Sequence, residues 1–238
     1  MRRAFPRLVP AALLVLAAAT PFAAQAQTPG KPPAKARTLV CPDMRVTVRS
    51  VTPADASLAC DGARDAIAFL ASQGFGTDVP VLIDIAPAMP AAAARTAVGC
   101  YLESERRVVV LPFAAFRRNR TWMGVPSDAR AYRSVVTHEV AHAIAACNYK
   151  GTAVPITGKE YIAYVTMLAT METDRRDRVL AAFPDPAFEG DWQMNTMVYL
   201  FDPQRFGVRA YRHYMQPGHG REFLQAILQG TAMQGADD

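Results

Sequence analysis

The residues best suited to chemistry are the hexapeptide THEVAH at positions 137–142. The surrounding run AYRSVVTHEVAHAIAAC is rich in Ala, Val and Ile and contains no Gly or Pro, so it predicts a buried helix. Residues four apart lie on one helix face about 6 Å apart along the axis, so His138 and His142 can point at one metal ion. Glu139 lies between them. In this HExxH pattern the histidines bind zinc and the glutamate acts as general base.

Catalytic zinc has three protein ligands and one open position. The metzincin pattern requires a third histidine six residues after His142, but Asn148 is there, and Ala145 replaces the glycine of that pattern. Glu160 is the better candidate, because it lies 18 residues after His142 at the start of the next predicted helix. A glutamate in a first helical turn also interacts favourably with the helix dipole, which is the alternative explanation. We expect one Zn²⁺ per chain on His138, His142 and Glu160.

Two strands and a helix are predicted before the metal helix. Residues 44–52 alternate polar and apolar side chains, and residues 79–85 form an apolar run, so each predicts a strand. Between them, the apolar spacing from Pro53 to the stop at Gly74 predicts a helix. Residues 98–104 and 106–113 then predict a strand pair.

The metal helix is predicted from the N-cap Ser127 to about Asn148. A second helix should begin at Lys159, and the Pro- and Gly-punctuated remainder of the chain is predicted to be helical. The predicted fold class is therefore α+β, with a small mixed sheet in the N-terminal half, a helical C-terminal half and the HExxH helix between them.

Residues 1–26 have a basic start, an apolar core and small residues at Ala24 and Ala26. This predicts a secretory signal peptide, and hence an exported protein, periplasmic or secreted, without stable membrane insertion after signal removal. Residues 27–38 are rich in Pro and Lys and predict a disordered tether. Residues 39–238 are predicted to form a single domain. From Thr38 onward 20 basic and 21 acidic residues remain, a balance that does not favour nucleic-acid binding.

The four cysteines are Cys41, Cys60, Cys100 and Cys147. An even number in an exported chain predicts two disulfides, for which three connectivities are possible. We favour Cys41 with Cys60 and Cys100 with Cys147, because the second bridge would join a strand to the far end of the metal helix.

HEVAH followed by a helix that opens KEYIAYV resembles the gluzincin metallopeptidases, in which a second helix supplies the glutamate ligand within a segment similar to EGxAxY. Glu160, Ala163 and Tyr164 fit that segment, whereas Tyr161 stands where glycine is common. The resemblance covers residues 138–164 and implies a zincin-like domain that hydrolyses a peptide or protein substrate. The whole chain is also similar to small secreted HExxH proteins of proteobacteria, which supply no substrate.

The gluzincin resemblance also implies a downstream Tyr or His that stabilises the oxyanion. We favour His213 and Tyr214, which are adjacent on a predicted helix, over Tyr211 and His219. In zincins an edge strand before the metal helix binds the extended substrate by strand addition. Residues 98–104 or 106–113 would be that strand, although the VVV run favours burial of the second.

Two alternatives remain open. Gly99-Cys100-Tyr101-Leu102 is similar to the segment from which peptide deformylases take a cysteine ligand, so Cys100 is a rival to Glu160. The chain could also be a non-enzymatic exported protein, with a structural metal site or a binding role.

Overall fold

The strands of the N-terminal half form one five-stranded sheet. The computed structural model describes residues 35–91, 93, 96–150 and 154–233, so the predicted signal peptide and residues 27–34 of the predicted tether lie outside the described residues. The sheet has the order β1-β2-β3-β5-β4, with bounds β1 Arg37–Val40, β2 Val46–Ser50, β3 Val81–Ile85, β4 Gly99–Leu102 and β5 Arg107–Val110. β2, β3 and β5 are parallel, and β1 and β4 are antiparallel edge strands.

The prediction that the tether extends to residue 38 is wrong, because β1 begins at Arg37. Arg37 pairs with Ser50 and Thr38 with Arg49. All four residues of β1 are exposed. Without a buried face the strand has no alternation of polar and apolar residues, which is the signal that predicts a strand from sequence.

The rest of the described chain is mainly helical. The helices are α1 Pro53–Ser72, α2 Phe113–Phe116, α3 Ala129–Ala146, α4 Ile156–Thr170, α5 Thr173–Ala182, α6 Thr196–Phe201, α7 Pro203–Tyr214 and α8 Gly220–Gln229, and the short hairpin of β6 Thr121–Trp122 and β7 Val125–Pro126 precedes α3. A mixed sheet followed by a helical half confirms the α+β prediction. Within the part of the chain that the structure describes, no helix is both long and apolar enough to cross a membrane.

The core lies between the sheet and α3. Val48, Ile83 and Val108 are fully buried on the sheet, and α1 and α3 pack against that face. α1 and α3 approach closely at Gly62, where an added Cβ would lie 2.8 Å from Val136 Cβ. The Thr137 hydroxyl donates a hydrogen bond of 3.1 Å to the Gly62 carbonyl at the same crossing. α4 packs against the other side of α3, and α7 packs against α4.

The N-cap of α3 is Asp128 rather than the predicted Ser127. Its carboxylate accepts hydrogen bonds of 3.0 Å from the backbone amides of Arg130 and Ala131. Ser127 donates instead to the Asn119 carbonyl. The cap is thus one residue later than predicted, because an Asp in the adjacent position satisfies the free amides of the first turn equally well.

Only one of the two predicted disulfides is present among the described cysteines. Cys41 and Cys60 are bonded, which joins the start of the β1–β2 connection to α1, whereas Cys100 and Cys147 are free thiols. Successive side chains of a strand point to opposite faces. Gly99 of β4 faces α3, where an added Cβ would meet Glu139, so Cys100 points to the opposite face, away from the helix that carries Cys147. The prediction of a Cys100–Cys147 bridge is therefore wrong.

Alkylation in denaturant without reductant should label Cys100 and Cys147 and leave Cys41 and Cys60 unlabelled, because only the latter pair is bonded. Adding a reductant in denaturant should raise the number of labels from two to four, read by intact mass. Cys60→Ser should lower the free energy of unfolding by roughly 2–4 kcal/mol, since the bridge restricts the unfolded chain. Cys147→Ser, at an exposed free thiol, is the control and should change it by less than about 0.5 kcal/mol. If none of the four cysteines is labelled before reduction, a second disulfide must be present, and that result would contradict the structure.

Candidate metal centre

The two histidines of THEVAH lie on one face of α3. Their Nε2 atoms are 3.2 Å apart, and the ring centroids are 4.8 Å apart in an edge-to-face arrangement. Both side chains are 12% exposed, so the pair lies at the margin of the core rather than on the surface. Because neutral imidazoles present lone pairs at Nε2, this spacing suits two ligands of one ion.

Glu160 approaches the same pair from α4. Its Oε2 lies 3.4 Å from His138 Nε2, and its Oε1 lies 3.5 Å from His142 Nε2. The predicted proximity of the three side chains is thus confirmed. α4 begins at Ile156, so Glu160 is in the second turn and not in the first. A first-turn interaction with the helix dipole therefore does not account for its position.

The three donor groups are spaced as ligands of one small metal ion would be. Bonds of about 2.0–2.1 Å at tetrahedral angles place ligand atoms about 3.3–3.4 Å apart. The separations between the two Nε2 atoms and the Glu160 oxygens are 3.2, 3.4 and 3.5 Å. The side chains of His138, His142 and Glu160 are therefore close enough together to bind one metal ion, with Glu160 offering a different oxygen to each histidine.

Glu139 lies beside this group. The ligand atoms of His138, Glu139 and His142 lie within 4.8 Å of one another, so the Glu139 carboxylate could also approach an ion. The Glu160 oxygens are closer to both imidazoles, at no more than 3.5 Å. Glu160 is therefore the better candidate ligand, and Glu139 is the carboxylate that remains free to act on a bound water.

The two carboxylates differ in electrostatics. Burial raises the pKa of Glu139 to about 7, with the Glu160 charge adding to the rise and His138 opposing it. For Glu160, burial also raises the pKa, but His142, His138 and the Tyr199 hydroxyl together lower it below its usual value. Burial lowers the pKa of His142 to about 4. The site therefore combines an ionised carboxylate and a neutral imidazole with a carboxyl group that can exchange a proton near neutral pH.

On its Nδ1 side, packing rather than a hydrogen bond orients the His138 ring. His138 Nδ1 is buried and has no hydrogen-bond partner among the described residues, although metal-bound histidines usually donate from the second nitrogen. The Tyr164 ring packs edge-on against it at 4.5 Å between centroids. Tyr164 itself lies over Gly207 of α7, where an added Cβ would be 2.2 Å from its ring. The absence of a side chain at Gly207 thus leaves room for the ring that holds His138.

The site opens into a cavity of about 730 Å³. One wall is β4 with the segment before it, and the opposite wall comes from α4 and the α6–α7 segment. Aromatic and aliphatic side chains contribute much of the lining, among them Val98, Trp122, Met123, Ile156, Tyr199 and Phe201. The cavity therefore gives a substrate access to the three donor groups.

The two predicted oxyanion donors lie outside this cavity, so their predicted position is corrected. The His213 ring bonds through Nδ1 to the Tyr161 hydroxyl at 2.8 Å and stacks on His219, and the Tyr214 hydroxyl donates to Gln73 at 3.1 Å. Both belong to the part of α7 that packs toward α1 and α8. The structure instead brings Tyr199 of α6 to the cavity, against Glu160. Tyr199 has no motif around it, and the sequence offered no signal that could have selected it.

Cys100 does not join the histidines as a ligand. It lies on the face of β4 opposite to that of Gly99, and Gly99 is the residue that faces α3. Burial raises the pKa of its thiol to about 11, with Glu139 adding to the rise. The orientation of Cys100 therefore argues against the deformylase-like alternative.

Comparison with known proteins places most of the chain in one family. No curated protein and no solved structure matches the chain significantly. Residues 46–236 match the family described as "Family of unknown function (DUF6639)". This range begins at the first residue of β2 and includes the five-residue HExxH motif and Glu160. Because the match spans well over half of the sequence, the chain belongs to the DUF6639 family.

Proposed function

We propose that this chain is an exported zinc-dependent peptidase with a zincin-like, gluzincin-like domain. The observation that carries the proposal is the triangle formed by His138 Nε2, His142 Nε2 and the Glu160 carboxylate, with edges of 3.2 to 3.5 Å. Three ligands beside an open cavity are typical of catalytic zinc, whereas structural zinc has four closed ligands. The Cys41–Cys60 bond supports an oxidising compartment, the periplasm or the exterior.

In this mechanism the two glutamates have separate roles. When bound, zinc lowers the pKa of a water molecule toward neutrality and polarises the substrate carbonyl. Glu139 removes the proton from that water, and the oxygen attacks the carbonyl carbon. Glu139 then donates the proton to the nitrogen of the scissile bond, so that the bond breaks and an amine and a carboxylate are released.

Tyr199 is the hydroxyl donor that we infer for the oxyanion. Its side chain lines the cavity beside Glu160. Burial and the Glu160 charge raise the pKa of Tyr199 above its usual range, so the phenol keeps its proton and can donate a hydrogen bond. A donor placed where negative charge develops stabilises the transition state without a further rearrangement of solvent.

The substrate would bind along β4. This strand is hydrogen-bonded to β5 on one side only, and the cavity lies along it. β5 is interior, and Val108, Val109 and Val110 are buried, so of the two candidate strands only β4 has an edge to offer. An extended peptide would add to that edge through backbone hydrogen bonds.

The metal and general-base roles predict different losses in two variants. Metal-loaded wild-type protein should contain about one zinc per chain, and His138→Ala should lower zinc affinity by more than the ~10–100-fold typical of groups that only orient a ligand. Glu139→Gln should retain zinc but lower kcat by at least about 10²-fold, since a general base contributes 10²–10⁴-fold. Elemental analysis and hydrolysis of a peptide library measure the two effects. Glu222→Gln, on the exposed face of α8, is the control. If wild-type protein that has been incubated with zinc retains none by elemental analysis, the proposal is overturned.

Measured on zinc-saturated protein, Tyr199→Phe should lower kcat by about 10²–10³-fold with little change in KM, because removing one oxyanion donor has that cost. Steady-state kinetics on a cleaved peptide provide the measurement. Tyr214→Phe removes a hydroxyl that bonds to Gln73 outside the cavity and keeps the ring, so it should leave kcat within about 2-fold. Equal kcat values for Tyr199→Phe and wild type would exclude Tyr199 as the donor.

Strand addition predicts sensitivity to the substrate backbone. N-methylation of one peptide amide that pairs with β4 removes a single donor and should raise KM by roughly 2–10-fold, as expected for one hydrogen bond. Methylation of alternate amides, which point away from the strand, should have no such effect. Measured KM values that do not alternate along the peptide would count against binding at β4.

A further inference from the structure

The backbone of β4 lies directly against the Glu139 side chain. A Cβ added at Gly99 would be 2.8 Å from both Cγ and Oε1 of Glu139 and 3.1 Å from its Cδ. These are the three atoms nearest to the added carbon, and all belong to Glu139. No side chain fits at position 99 while Glu139 keeps its present conformation.

Little else fixes the Glu139 carboxylate. In the described ranges no hydrogen bond to a protein donor holds it, and its electrostatic partners His138 and Glu160 act without a bond to it. The side chain is only 7% exposed. Contact with the β4 backbone therefore restricts where the carboxylate can lie, and packing of this kind determines a rotamer when hydrogen bonds do not.

The requirement at position 99 is steric rather than conformational. Gly99 is not among the residues with a positive φ, so alanine is compatible with its backbone. β4 cannot easily retreat, because it pairs along its length with β5, whose Val108 and Val110 are fully buried. α3 is equally confined between α1 and α4. An added methyl group would therefore displace Glu139 and not the backbone.

We propose that Gly99 is a positioning residue, whose missing side chain allows the edge strand to hold Glu139 at the metal site. This inference rests on the proposed function, in which Glu139 is the general base and β4 binds the substrate. The same strand then contacts the substrate backbone and the base. The distance between the scissile bond and Glu139 is thus set by a single backbone segment, independently of the substrate side chains.

A stability cycle tests the contact without any assay of activity. Gly99→Ala should lower Tm by roughly 4 °C or more, the effect of overpacking in a domain of this size. In the Glu139→Ala background the same change should not lower Tm, because the atoms that the methyl group meets are gone. If Gly99→Ala alone fails to fold, a folded double variant has the same meaning. If Gly99→Ala lowers Tm equally in the wild-type and Glu139→Ala backgrounds, or if the double variant does not fold, the proposal is overturned.

A kinetic cycle tests the positioning role. Gly99→Ala should lower kcat by about 10²-fold with unchanged zinc content and KM, as expected for a displacement of about 1 Å. In the Glu139→Asp background, whose side chain is one methylene shorter, Gly99→Ala should cost less than about 3-fold, because residues that act as a unit are not additive. Additive losses would show that Gly99 acts independently of Glu139.

Gly76→Ala is the matched control, since its added Cβ would lie 3.3 Å from the nearest atom, Asn148 Oδ1, outside the cavity. It should leave kcat unchanged. If the wild-type protein hydrolyses no peptide, the proposed function fails, whereas the stability cycle still decides whether Gly99 positions Glu139.

Discussion

The packing of α4 against α3 determines the distance between Glu160 and the two histidines. α3 is itself fixed on the sheet through α1, where the Thr137 hydroxyl bonds to the Gly62 carbonyl and small residues allow close approach. Thr137 thus packs toward α1. The next residue, His138, points toward Glu160 of α4. A shift of α4 along α3 by one turn would move Glu160 by about 5.4 Å and would separate the three donors. The geometry of the site is therefore a property of the helix interface more than of any loop.

That interface brings ionisable groups into a largely apolar core. Two carboxylates and two imidazoles share a small volume, with Glu139 only 7% exposed and the Glu160 side chain 13% exposed. Burying a charge without a partner costs several kcal/mol, and the shifted pKa values of Glu139 and His142 express that cost. A divalent cation between the three donors would offset it, so metal binding and stability should be linked in this fold. Two carboxylates and two imidazoles in apolar surroundings are thus better explained by a metal site than by ordinary core packing of two histidines.

The main features of the site follow from the sequence because a helix has a fixed period. The spacing of His138, Glu139 and His142 allows one relative geometry on a helix, and the connection to Glu160 is long enough for an antiparallel return. Tyr199 could not be found in this way, because it lies on a six-residue helix and reaches the cavity through the path of the chain between α5 and α7. The absence of the Cys100–Cys147 bridge has a similar origin, since the even count of cysteines does not say which face of β4 each one occupies. The sheet was predicted wherever a buried face produced alternation or a continuous apolar run, and β1, with neither, was missed.

The edge of β4 supports the proposed peptidase function over a role in metal binding alone. Exposed strand edges promote association, and natural proteins usually block them with charged side chains, proline or a covering element. β4 has the sequence Gly-Cys-Tyr-Leu and contains neither a charge nor a proline. It borders the cavity within reach of Glu139, so an added peptide would lie beside the carboxylate that we propose as the general base. An edge strand, an adjoining cavity and a carboxylate at the same point are features that the proposed hydrolase would use and that a purely structural metal site would not.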